Sequence, residues 1–115
     1  DLELAGYKDW RLPTIGELRT LIVGCQYTEH GGACGIWAEC LASYCTSVWC
    51  GGCSQEAGPA GGCYWPVDLV GSCSWYWSSS SVTGVDGSAW GVSFDSGSVS
   101  YNYFVFDGLS VRCVR

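Results

Sequence analysis

Positive charge is scarce in this chain. Five lysines and arginines stand against eleven aspartates and glutamates, a formal net charge of −6. Nucleic-acid binding needs clustered cations to displace the counterions around phosphates, so a nucleic-acid partner is excluded. Long apolar runs are also missing. The longest aliphatic run is Leu21–Ile22–Val23, far below the roughly 20 residues that cross a bilayer. Asp1 opens without the basic start and apolar core of a signal peptide, so the chain reads as mature, processed or a fragment. There is a single histidine, His30, and no Gly-x-Ser-x-Gly sequence. No base is paired with a nucleophile, and His30 reads as an ordinary loop residue in a chain that is not an enzyme.

Cysteine is abundant, with nine among 115 residues. Reducing compartments would hold so many thiols free, so an extracellular or cell-surface location is expected. An odd count leaves one cysteine free, bridged to another chain, or deprived of a partner that lies outside this sequence. About 48% of the residues are hydrophobic and 14% charged, which excludes a disordered chain. The length suits one domain, 1–115, whose cysteine-rich stretch at about 26–73 holds seven of the nine cysteines.

The clearest element is a helix. Pro13 favours an extended approach, and Thr14 with Glu17 forms a capping box. Ile15, Leu18, Leu21 and Ile22 recur on one face, and Gly24 suits the stop. These features predict a helix over Ile15–Val23. Alternation predicts strands over Ala89–Phe94, Ser98–Phe106 and Leu109–Val114, joined by turns at Asp95-Ser96-Gly97 and Asp107-Gly108. Ile36–Tyr44 reads as a short helix, and Ser78–Ser81 as a loop. A helix segregated from an antiparallel meander is an α+β arrangement. The middle stretch contains Gly51-Gly52, Gly58-Pro59 and Gly61-Gly62, so cross-links must hold its shape.

Gly6-Tyr7-Lys8-Asp9-Trp10-Arg11-Leu12-Pro13-Thr14, with Glu17-Leu18 and Leu21-Ile22, resembles the opening signature of a bacterial extracellular family. This is the Legionella collagen-like (Lcl) C-terminal domain family, also described as the Fibrobacter major paralogous domain. Tyr76-Trp77-Ser78-Ser79-Ser80, Ala89-Trp90, Phe94, Gly97, Val99 and Val111-Arg112-Cys113-Val114-Arg115 resemble its later motifs. The resemblance implies a C-type-lectin-like fold: a twisted antiparallel sheet, an N-terminal helix and long loops that carry the binding surface. It also implies a secreted or surface module acting in adhesion or glycan binding. Family members usually carry a further segment before this signature, often with a cysteine, where this chain has only Asp1–Ala5. The implied fold commonly ties the helix to the last strand, which makes Cys25–Cys113 the expected bridge.

The other cysteines, Cys34, Cys40, Cys45, Cys50, Cys53, Cys63 and Cys73, are expected in bridges of unassigned connectivity. Cys63 and Cys73 are placed to close the loop around Tyr64-Trp65-Pro66. Cys50-Gly51-Gly52-Cys53 has zinc and redox spacing, but an oxidising location favours structural disulfides. Arg11 suits bidentate bonds that fix a corner of the fold. Calcium-dependent lectins hold sugars with Glu-Pro-Asn, Gln-Pro-Asp or Trp-Asn-Asp triplets, and none occurs here. Calcium is thus limited to the turn residues Asp86, Asp95 and Asp107, and no other cofactor is expected. Trp75, Tyr101, Asn102 and Tyr103 are the candidate ligand-binding residues, because aromatic faces stack on sugars and Tyr with Asn adapts to protein surfaces. Two functions compete. One is a non-catalytic recognition module for a glycan or protein surface. The other is a self-assembling, cross-linked subunit of a surface fibre or matrix.

Overall fold

The structure, a computed structural model, describes residues 11–103. The helix α1 spans Ile15–Arg19. Thr14 has extended backbone, its hydroxyl accepts from the Glu17 N–H at 3.2 Å, and Glu17 Oε1 accepts from the Thr14 N–H at 2.9 Å. This is the expected capping box. Arg11 extends it with a fork, donating from Nη1 and Nη2 to the two Glu17 oxygens at 2.6 and 2.7 Å. The guanidinium, followed by the Thr14 N–H, pulls the Glu17 carboxyl down to about 2.

The α-helix is shorter than its apolar stripe predicts. The Leu21 and Ile22 N–H groups turn back to Leu18 and Arg19, three residues earlier, and the Val23 N–H leaves for the Tyr64 carbonyl at 2.9 Å. Thr20, Ile22 and Val23 are β-branched and disfavour helix. The pattern of burial still persists, because Ile22 remains in the core in this tightened turn.

Three strands follow: β1 Trp75–Ser81, β2 Ser88–Ser93 and β3 Ser98–Tyr103, an antiparallel sheet in sequence order. Ser78–Ser81 is therefore strand rather than loop. Its polar groups are used: Ser78 Oγ donates to the Trp90 carbonyl at 2.6 Å, the Ser79 N–H donates to Pro13 O at 2.8 Å, and Ser80 Oγ accepts from the Ile15 N–H at 2.9 Å. The serine run thus fastens the start of α1 to the sheet edge. The ladder is irregular between Trp77 and Ser81.

Between β2 and β3, Asp95-Ser96-Gly97 makes the expected turn. Gly97 has φ +72°, its N–H donates to Ser93 O at 2.8 Å, and a Cβ there would stand 3.0 Å from the Cys25 Cβ. The Asp107-Gly108 turn and the Leu109–Val114 strand lie outside the described residues.

The register puts Tyr76, Val92 and Val99 in one row, with Trp90 opposite Tyr101 beside it. This face meets Ile15, Leu18 and Ile22, and Trp65 completes the core from the middle stretch. Trp65, Tyr76 and Phe94 form a ring cluster with centroids 5.3 to 5.9 Å apart. The result is a small disulfide-rich domain with a three-stranded antiparallel sheet and little helix, compatible with α+β. Among the described residues no helix is long and apolar enough to cross a membrane.

The predicted helix over Ile36–Tyr44 is absent. Trp37 and Cys40 exchange backbone bonds across a tight turn, and Ser43–Cys45 and Val48–Gly51 are single 3-10 turns. The Cys40–Cys45 bridge explains this. At 100° per residue, cysteines five apart would point to different sides of an α-helix and could not bond.

Candidate functional site

Four disulfides organise the middle stretch: Cys25–Cys53, Cys34–Cys50, Cys40–Cys45 and Cys63–Cys73. Cys25 therefore bonds Cys53, which corrects the Cys25–Cys113 expectation. The reason is local. The Cys53 N–H donates to Ser96 O at 2.6 Å, so residue 53 is held at the β2–β3 turn, where Cys25 already packs on Gly97. Cys113 lies outside the described residues. Cys50 and Cys53 each bond a distant partner instead of forming a Cys-x-x-Cys site.

Arg19 shapes the loop beyond the helix. Its side chain is buried, and it donates to four main-chain carbonyls: Nε to Thr28, Nη1 to Cys34 and Ile36, and Nη2 to Glu29, at 2.5 to 3.0 Å. A guanidinium has five N–H groups, so one on Nη2 is left over. Among the described residues no carboxylate pairs with it, and the nearby Glu29 carboxylate accepts instead from the Gly24 N–H at 2.9 Å. Burial lowers the Arg19 pKa from its ordinary value.

Above Arg19 lies a cavity of about 310 Å³. It is lined by Trp37, by Gly31, Gly32 and Gly35, and by His30 and Ala33, which are exposed and form its rim. A Cβ on Gly31 would meet nothing within 4 Å. Trp37 is 48% exposed although it belongs to a cross-linked turn.

The same disulfide-rich segment carries further exposed aromatics. Tyr44 is 86% exposed and Trp49 45%. Tyr27, also exposed, stacks on Trp49 with centroids 4.7 Å apart and planes tilted by 33°. Tyr44 and Trp49 each precede a bridged cysteine. That adjacency was the available signal: in a single short turn, a cysteine drawn to its bridge leaves the neighbouring side chain pointing another way, with no second layer to cover it.

The sequence candidates occupy a different region. Trp75 is only partly exposed; it lies over Gly91, where a Cβ would come 2.6 Å from its ring. Its indole N–H is buried without an acceptor. Tyr101 is half-buried and packs edge-on against Trp90 at 5.2 Å, and Asn102 is half-buried opposite Ala89. Tyr103 pairs with Ser88 at the end of β3. Asp95 is engaged locally, with Ser93 and Gln55 donating to its carboxylate, while Asp86 sits in an exposed turn and Asp107 is outside the described residues. Among the described residues no three His, Cys, Asp or Glu side chains gather as a metal site.

No curated protein and no solved structure matches the chain significantly. The family model of the Lcl C-terminal domain matches residues 1–115. That match takes in the capping-box helix, the serine strand and the hairpin described above, and the chain belongs to the Lcl C-terminal domain family.

Proposed function

We propose that this chain is a non-catalytic extracellular recognition or adhesion module of C-type-lectin-like fold. In this reading it engages a glycan or protein surface through the aromatics of its disulfide-rich segment. One observation carries the reading: Trp37, Tyr44 and Trp49 are held out of the core on a segment that three bridges immobilise. Folding alone buries large aromatics, and exposed clusters of them mark contact surfaces. Pre-fixed Trp and Tyr side chains also lose little entropy on binding. Family membership and four disulfides support an extracellular setting. The test is intact, oxidised protein on glycan arrays and in pull-downs with extracellular proteins. Capture that is lost in Tyr44→Ala/Trp49→Ala protein with unchanged disulfides supports the module. No ligand of either kind rejects it.

The cysteine count favours a second reading, a cross-linked structural subunit. Four bridges pair the eight cysteines of the described residues, so the ninth, Cys113, is the one cysteine of this sequence available for a bridge to something beyond it. Denaturing gels distinguish the two. A covalent ladder that collapses on reduction supports the subunit, and a single monomer band in both conditions removes its covalent form.

A further inference from the structure

We infer that the cavity above Arg19 is a subsite for one neutral pyranose ring, stacked on Trp37 and bound without calcium. This rests on the recognition-module reading and names its ligand class and its position. The volume, about 310 Å³, is at the small end of the range for ligand pockets and suits a single ring. Its lining includes the half-exposed Trp37, and an indole is a stacking partner for the C–H face of a sugar. Gly31, Gly32 and Gly35 also line it, and a glycine has no side chain to keep a ligand from main-chain N–H and C=O groups.

The polar groups complete the argument. The lining also includes Arg19, whose four carbonyl bonds leave one of its five N–H groups over, and the exposed His30 with its ring nitrogens. Such a mixture of donors and acceptors fits hydroxyls, which do both. An anionic ring fits less well. Four carbonyl oxygens already converge on Arg19, and the whole chain carries −6. Ligation through calcium would need clustered carboxylates, and neither Arg19, His30, Trp37 nor the glycines provides one.

The experiment is titration of the oxidised protein with a panel of methyl hexopyranosides and methyl glucuronide, followed by indole N–H resonances in ¹H–¹⁵N spectra. At least one neutral glycoside should shift the Trp37 indole signal saturably, with no change on adding EDTA and little change with salt. Trp37→Ala should weaken binding by about tenfold or more, as expected for an aromatic anchor. Ala33→Gln, which crowds the rim and leaves the core untouched, should weaken it too, while Val67→Ala, at an exposed position outside the cavity lining, should leave it within about twofold. Tighter binding of the glucuronide, sensitivity to EDTA, or full affinity in Trp37→Ala overturns the subsite. If no monosaccharide binds but array or pull-down capture survives, the subsite is wrong and the module reading stands. If both fail, both are wrong.

Discussion

The sheet and the disulfide-rich segment solve the same problem by opposite means. The sheet, residues 75–103, is held by ladder bonds and by a face of Tyr76, Trp90, Val92 and Val99 packed on α1 and Trp65. The segment between Cys25 and Cys73 has almost no regular structure and is held by four bridges, the Arg19 side chain and short turns. A region whose shape depends on side-chain burial must spend its aromatics inward. A region whose shape depends on covalent links is free to turn them outward, and the exposed Trp37, Tyr44 and Trp49 all lie there.

This contrast can be broken experimentally. The largest effect should come from the sheet core. Phe94→Ala should cost about 3–5 kcal/mol by denaturant unfolding, because the ring is fully buried between Trp65 and Tyr76. Loss of a bridge should matter by loop length. Replacing Cys25 and Cys53 by Ala should cost ~3–4 kcal/mol, and replacing Cys40 and Cys45 ~2 kcal/mol, given separations of 28 and 5 residues. In the Cys40–Cys45 variant, hydrogen exchange should accelerate over residues 36–46 while β2 and β3 stay protected. Equal loss of protection in the sheet would show that the two regions form one cooperative unit and that the contrast is only descriptive.

Smaller effects fall at the helix start, which the serine strand fastens to the sheet. Thr14→Ala should cost about 1 kcal/mol through the lost cap. Glu17 titrates near 2 in the fold against an ordinary 4.5, so its contribution is present above about pH 4.5 and is lost as pH falls toward 2. Both groups of the Arg11–Glu17 pair are exposed, so the change should be small. Unfolding of wild type and Glu17→Gln at pH 6 and pH 3 measures it: the difference between them should shrink at the lower pH.

What was legible in the sequence follows the same division. The Thr14–Glu17 box, the Ile15 and Leu18 stripe, the β2 strand and the Asp95–Gly97 turn are short-range patterns, and each reports its own local structure, although β2 is buried on both faces where its alternation suggests one. The serine strand was not legible. Ser78, Ser79 and Ser80 have weak strand preference, and their role comes from Pro13, Ile15 and Trp90, residues distant in the chain. The partner of Cys25 and the turn at Trp37–Cys40 were hidden for a similar reason, since bridge connectivity is a long-range property that spacing does not encode. Trp75 and Tyr101 looked available beside serine and asparagine, but a strand register places Trp75 over Gly91 and Tyr101 against Trp90.

Arg19 reaches the loop only through carbonyl oxygens, at Thr28, Glu29, Cys34 and Ile36. A carbonyl is the same in every amino acid. Substitution at His30 or Ala33 therefore changes what the loop displays without changing the bonds by which it is gripped. The helix thus acts as a fixed socket for an exchangeable face, and a descendant of this chain can alter that face at the rim while inheriting the scaffold whole.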